Sequence, residues 1–266
     1  MQKIVHISDI HFGKEDESIV NALLTKINEI APNVIVVSGD LTQRAKHREY
    51  KKVKLFLSKL DFPKVVIPGN HDIPLYNLLG RVINPFRKFD YYFPNCNRYE
   101  NEQVSIVGLN SVRNLRWKSG KLTIKDLEES SEELKVKKNA EKLKIVVMHH
   151  NLLHLPSNKN SESIFRTKLM QKWIFDNGID LILFGHDHKS TIKPILFDHD
   201  NIFDFILIQA ASATSTRRRG NENSFNLIML ENSFMQISIE TYEQHKYKTS
   251  SRIKFNKQLI GWEKTE

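Results

Sequence analysis

At 266 residues, with 40% apolar and 27% charged side chains, the chain has the make-up of an ordinary globular protein able to bury a large core, which excludes wholesale disorder. No apolar run approaches the ~20 residues that span a bilayer, and the opening MQKIVHISDIHFG breaks at acidic and histidine residues unlike a secretory signal, so a cytoplasmic protein is expected. The single cysteine, Cys96, excludes an internal disulfide and a thiolate metal cluster, while 40 Lys and Arg against 31 Asp and Glu, a formal charge of +9, favour anionic partners.

Ile4 to Ile7 reads as a short strand, and Ile19, Val20, Leu23, Leu24, Ile27 and Ile30 share one helical face in the segment 18–30, which Pro32 closes. Val34 to Val37 is a second strand. Tyr50, Val53, Phe56, Leu57 and Leu60 mark a second helix before the strand Val65 to Ile67. This β-α-β-α-β order, with strands apolar on both faces, predicts a mainly parallel sheet covered by helices. The segment 75–89 has the spacing of an amphipathic helix interrupted or kinked at Pro85. A strand at 104–109, a helix capped by Thr123 with acidic residues early and lysines late, a strand at 145–148, a helix at 163–175 and a strand at 181–184 follow. From Ile192 onward, runs at 192–197, 203–209, 225–230 and 234–240 read as consecutive, mainly antiparallel strands, and the lysine-rich end from Lys246 reads as a last strand or a loose tail.

Five short polar motifs stand at the ends of predicted strands: Ser8-Asp9-Ile10-His11, Gly39-Asp40, Gly69-Asn70-His71-Asp72, His149-His150 and Gly185-His186-Asp187-His188. Singly each is weak, because Gly-Asp is commonly a turn and a lone histidine commonly packs in a core. Jointly they point to one site, since ligands bind outside the carboxyl ends of the strands in open α/β sheets. Imidazoles, carboxylates and one side-chain amide, with no sulfur, suit manganese, iron, zinc or cobalt. Two carboxylates, four histidines and an amide exceed the needs of one ion but suffice for two about 3.5–4 Å apart that share a carboxylate.

The series Asp-x-His, Gly-Asp, Gly-Asn-His-Asp, His and Gly-His-x-His, from Asp9 to His188, resembles the calcineurin-like metallophosphoesterases and, within them, the bacterial class III cyclic nucleotide phosphodiesterases. The resemblance implies that Asp9, His11 and His188 hold one divalent ion, that Asn70, His149 and His186 hold the other, and that Asp40 bridges them. It further implies that a metal-bridging hydroxide attacks phosphorus, and that His71 contacts phosphate and assists the leaving oxygen, with Asp72 orienting its imidazole. His149 is preferred to His150 because the family ligand follows the strand directly; His150 either faces substrate or packs. The implied fold is a four-layer α/β/β/α sandwich, two mixed sheets flanked by helices, in a single domain over residues 1–266.

Further substrate contacts are expected from Arg113, Arg116 and Trp117 in a loop after a strand, and from Arg217 in the run Arg217-Arg218-Arg219. The segment 71–77 and the helix after it are read as a packed surface element or as a cap over the metals. The expected reaction is hydrolysis of a small anionic phosphodiester such as a cyclic nucleotide. The alternatives are pyrophosphate cleavage in a UDP-diacylglucosamine-type nucleotide lipid, with the helix at 75–89 as its acyl groove, a nuclease, and a non-catalytic phospho-ligand module. Nucleic acid is compatible with the charge but not favoured, because no motif accompanies it. A homodimer through the antiparallel third is left open.

Overall fold

The computed structural model describes residues 1–75, 77–114, 120–135, 142–151, 161–196, 204–216, 220–259 and 261–265. The first sheet starts with β1 (Gln2–Ile7), α1 (Glu17–Ile30), β2 (Val34–Val37), α2 (His47–Ser58) and β3 (Lys64–Val66), and its three strands are parallel as their alternation with helices requires. Two short helices, α3 (Leu78–Ile83) and α4 (Arg87–Tyr92), then lead to β4 (Arg98–Glu100), β5 (Val104–Gly108), α5 (Ile124–Lys135), β6 (Leu143–Val147), α6 (Ser161–Asn177), β7 (Leu181–Phe184), β8 (Thr191–Ile195) and β9 (Phe205–Gln209). The chain ends in β10 (Ser224–Glu231), β11 (Phe234–Glu243), β12 (Lys246–Gln258) and β13 (Gly261–Lys264). The strand orders are β13-β12-β11-β10-β1-β2-β3 and β4-β5-β6-β7-β9-β8, both mixed.

Period-two alternation along the strands makes the layers. In β1 and β2, Ile4, Val34 and Val36 face the second sheet and pack with Ile106, Ile145, Leu183 and Ile208 in a core between the sheets. Their neighbours Val5, Ile7, Ile35 and Val37 face outward onto Ile19, Leu23 and Ile27 of α1 and Tyr50, Val53 and Leu57 of α2. On the far side, Val146, Ile182 and Leu207 pack against Leu127 and Leu134 of α5 and Met170, Trp173 and Ile174 of α6. The result is the four-layer α/β/β/α sandwich.

Local chemistry fixes the helix starts. The Asp16 carboxylate accepts from Ser18 N and Ile19 N at the head of α1, and at α5 Thr123 and Asp126 cap reciprocally, with Thr123 N donating to Asp126 Oδ2 at 2.6 Å and Asp126 N to Thr123 Oγ1 at 3.2 Å. The segment 75–89 is two helices, because Pro85 cannot continue the amide ladder and Asn84 before it leaves the helical region with ψ 76°.

One expectation changes, one alternative is resolved and one strand is new. The last third is not one antiparallel unit: β9 lies parallel to β7 and joins the second sheet with β8, while β10 to β13 extend the first. The segment from Lys246, read as a last strand or a loose tail, is a strand, the thirteen-residue β12, followed by β13. The edge strand β4, three half-buried residues, was too short to show an alternation. Among the described residues, no helix is long and apolar enough to cross a membrane.

Candidate metal centre

The motifs lie where parallel strands of the two sheets end. After β1 and β2 the chain zips together through backbone bonds from Asp9 N to Gly39 O (3.0 Å), His11 N to Asp40 O (3.0 Å) and Phe12 N to Leu41 O (2.9 Å). Asp9 Oδ2 accepts from Ser8 Oγ (2.7 Å) and from His186 N (3.0 Å), which ties the loop after β7 to the loop after β1. Asp9, His11, Asp40, His186 and His188 all have positive φ, between 43° and 75°. A left-handed residue reverses the path directly after a strand, so the pairs at i and i+2 are drawn into one place, at a cost that non-glycine residues bear only where the surroundings insist on it.

Two sets of ligand-type atoms result. In the first, His11 Nε2 and His188 Nε2 are 3.3 Å apart, Asp9 Oδ1 is 3.7 Å from the former and 3.3 Å from the latter, and Asp40 Oδ2 is 3.7 Å from His11 Nε2. In the second, His149 Nε2, His186 Nδ1 and Asn70 Oδ1 form a triangle with sides of 3.2, 3.2 and 3.3 Å, and Asp40 Oδ1 is 3.4 Å from His149 Nε2. Atoms about 2.1 Å from a common ion are roughly 3.0–3.4 Å apart in octahedral or tetrahedral arrangement, so the second set has these dimensions and the first is wider by a few tenths of an ångström at the two 3.7 Å separations from His11. Asp40 gives one carboxylate oxygen to each set.

Two further observations fit a cation here. Asp9 Oδ1 is fully buried and accepts no hydrogen bond, a costly state for an ionised oxygen unless something positive faces it. His149 Nδ1 donates to the Ser38 carbonyl at 2.8 Å, which fixes the tautomer whose Nε2 lone pair faces the site.

The charges of the buried groups are interlocked. Burial would raise the Asp9 carboxyl, but the nearby imidazoles of His11 and His149 hold it below its ordinary value. Burial likewise opposes ionisation of Asp40, and the charges of His149 and His71 outweigh it, leaving it well below the usual range. Burial would lower His149, yet Asp40, by charge and hydrogen bond, raises it to about 9. His186 is lowered by burial and by His149, and His150 is pushed down to about 2 by burial and by the charges of His149 and His186. The metal-free site therefore keeps a proton on His149 and leaves His150 neutral.

His71 stands at the rim, half-buried, with its ring edge-on to His11 at 4.9 Å. Its Nδ1 donates to the Gln43 carbonyl at 3.0 Å, and its backbone N–H donates to Asp40 Oδ1 at 2.8 Å. Asp72 does not orient this imidazole. Its Oδ1 accepts from Thr42 N (2.8 Å) and Thr42 Oγ1 (2.9 Å), and its Oδ2 accepts from Leu41 N (3.0 Å) and Gly69 N (2.8 Å). It is a buried staple joining the loops after β2 and β3, so the catalytic placement expected for it gives way to a structural one.

His150 is 3% exposed, close to His186, and its Nδ1 is 2.9 Å from Ser111 Oγ. It lies beside the second set without entering its tighter triangle. Arg113 is an internal tie, not a substrate contact, because its guanidinium donates to the carbonyls of Asn110 (2.8 Å) and Val112 (2.9 Å) and to Asp126. Arg116, Trp117 and Arg217 lie outside the described residues.

Sequence reasoning missed the groups that aim the ligands. Ser38 holds His149 by its carbonyl, Gln43 holds His71 in the same way, and Ser212 Oγ donates to Asp9 O at 2.7 Å. A backbone carbonyl carries no sequence signal, whereas Ser8 stood inside a motif already singled out. Gly69 and Gly185 pass so close to Asp40 and to Ser8 and Asp9 that any Cβ there would overlap them.

Comparison with known proteins agrees with this geometry. The family model described as calcineurin-like phosphoesterase matches residues 2–190. A protein of Vesicomyosocius okutanii described as a probable cyclic nucleotide phosphodiesterase is 26% identical over 204 residues, covering 71% of this chain and 79% of that protein. One of Ruthia magnifica with the same description is 27% identical over 197 residues, covering 70% and 76%. Among solved structures, a dimetal phosphatase of Danio rerio shares the fold with a TM-score of 0.62 at 10% identity, covering 93% of this chain and 98% of that one. With the matched span containing all five motifs and both ligand sets, the chain belongs to the calcineurin-like phosphoesterase family and is a metal-dependent phosphoric ester hydrolase.

Proposed function

We propose that the protein is a dinuclear phosphodiesterase acting on a small phosphodiester, with cyclic nucleotides as the first candidates. The observation that carries this reading is the Asp40 carboxylate, one oxygen of which belongs to each ligand set. Asp9, His11 and His188 would hold one divalent ion and Asn70, His149 and His186 the other, with Asp40 shared. Bound there, a pair of manganese, iron, zinc or cobalt ions would supply Lewis-acid charge neutralisation and ionise water near neutral pH.

The chain's own residues do the remainder. His71, held through Nδ1 by the Gln43 carbonyl, presents Nε2 as the nitrogen that carries a proton to the leaving oxygen. Its place at the rim lets it touch substrate without entering the metal shell. Neutral His150 lines the wall beside His186. The cyclic nucleotide assignment draws on the descriptions of relatives about 26% identical, which support the reaction class more strongly than the substrate.

The test is a panel run on metal-loaded protein: 3′,5′- and 2′,3′-cyclic nucleotides, a glycerophosphodiester, a nucleotide-diphosphate lipid, a single-stranded oligonucleotide and a phosphomonoester. Turnover of a diester well above the monoester is expected. Preference for the monoester would overturn the reading.

A further inference from the structure

The core between the sheets turns polar where it reaches the metal centre. Along β1 Ile4 is followed on the same face by His6, and along β10 its partner Ile228 is matched by Asn226, the partner of His6. Just past the end of β2, Ser38 follows Val36. Ile4, Val36 and Ile228 belong to the apolar core, and His6, Ser38 and Asn226 are as deeply buried, each 0% exposed. Apolar side chains could extend that core with no polar group to satisfy, whereas buried polar ones persist only when bonded.

Here the bonds form a chain from one sheet to the other. Asn226 Nδ2 donates to the Gln209 carbonyl at 3.1 Å and to His6 Nδ1 at 3.2 Å, which uses both amide hydrogens and makes Nδ1 an acceptor. Burial pushes His6 down to about 3, so the ring is neutral and its other nitrogen, Nε2, donates to Ser38 Oγ at 2.9 Å. The Gln209 side chain reaches the loop after β7, where Nε2 donates to Gly185 O at 3.1 Å and to Asp187 Oδ2 at 3.2 Å. Both ends of the chain meet the ligands. Ser38 carries the carbonyl that fixes the tautomer of His149. Gly185 and Asp187 flank His186, and Asp187 separates it from His188; these two histidines, with φ of 75° and 58°, serve different ligand sets. Two left-handed histidines in so short a loop need their path held by neighbours, and Gln209 supplies that hold.

We propose that Gln209 is a positioning residue of the metal centre, and that the buried chain Ser38–His6–Asn226–Gln209 holds the two ligand sets in register across the two sheets. It touches neither ion nor substrate and acts through His149, His186 and His188. The inference rests on the reading of two bound ions, but not on the identity of the substrate.

The test reads ion binding without turnover, by competition of the full chain with a chelator of known affinity for cobalt or manganese, and by the visible spectrum of the cobalt form. Gln209→Leu keeps the bulk and removes both donations. It is expected to bind both ions about 10–100-fold more weakly, the usual cost of losing a group that orients ligands, and to shift the cobalt bands. His6→Leu breaks the chain further from the ligands and should weaken binding less, while His6→Gln, which again offers one donor and one acceptor, should restore most of it. A group that served only the fold would lower the melting midpoint of the chelated protein and leave affinity and spectrum of the folded variant unchanged; that result would overturn the positioning role. Weakening of one ion alone by Gln209→Leu would overturn the shared register. Should Gln209→Leu not fold, the His6 pair decides, and equal affinities in His6→Leu and the unaltered protein would refute the chain. If the unaltered protein binds no divalent ion, the dinuclear reading fails and this inference with it; if it binds two and the variants bind them equally, the inference alone fails.

Discussion

Asp40 is the side chain whose replacement separates a dinuclear site from two independent ones. Its oxygens lie 3.4 Å from His149 Nε2 and 3.7 Å from His11 Nε2, in different ligand sets. Asp40→Asn keeps the shape and removes one negative charge. At a metal–oxygen separation of about 2.2 Å, a unit charge and a dication interact by roughly 4 kcal/mol even at the dielectric constant of bulk water, which is a lower bound for a buried group. That corresponds to a loss of about two to three orders of magnitude in affinity for each ion. Metal content after gel filtration, together with competition against a chelator of known affinity, reads both sites. Loss of both ions is expected. Retention of one at unchanged affinity would show that the carboxylate is not shared, and the role assigned to Asp40 would fall.

Other positions are expected to respond differently. His71→Ala should keep both metals and lower kcat by roughly 10²–10⁴-fold on a diester with a poor leaving group, and by less on a nitrophenyl diester, because proton donation matters less there; an equal loss on both would remove the acid role. Asp72→Asn sets an amide N–H against backbone donors and should cost about 2–3 kcal/mol in urea unfolding, as the loss of a buried acceptor does; an unchanged midpoint would contradict its role as a staple. His149 is raised to about 9 in the metal-free protein, so the stability its proton contributes is complete below about pH 6.5 and lost as pH rises through 9. A metal ion must displace that proton. Affinity should accordingly climb with pH across this window, and calorimetry in buffers of different ionisation enthalpy should detect proton release near neutral pH.

Much of this could be read from the residues, for identifiable reasons. Strands buried on both faces announce themselves as continuous apolar runs, so β1, β2, β7 and the helices between the first strands fell close to their expected bounds. Each motif's place directly after such a run located the site before any tertiary information existed. What was not legible depends on pairing and on backbone. The sequence of β9 does not record that it lies beside β7 in place of β10, because partner choice is settled by non-local packing. The carboxylate of Gly-Asn-His-Asp, Asp72, was expected to be an imidazole partner. At that position, however, four donors from Leu41, Thr42 and Gly69 converge, and buried donors must be satisfied before a rim histidine can be served. Arg113 was drawn inward by the same requirement, here that of loop carbonyls.

The local cost of the site also bears on what the metals do for the fold. Five of the seven ligand candidates are non-glycine residues in the left-handed region, each costing on the order of 1 kcal/mol. They enclose two buried carboxylates, and one oxygen of Asp9 accepts no hydrogen bond. Such an arrangement is a sizeable fraction of the roughly 5–15 kcal/mol by which a typical domain is stable. Ions that bind only the folded chain offset it: at about 100 times the dissociation constant each site contributes about 2.7 kcal/mol, so two contribute about 5. For a chain of this size that is roughly 10–20 °C in the thermal midpoint. Differential scanning calorimetry with metal and with chelator measures the difference directly. A midpoint that chelation leaves unmoved would mean that the left-handed turns and buried carboxylates are sustained by protein contacts alone, and the coupling between ion binding and folding stability would be refuted.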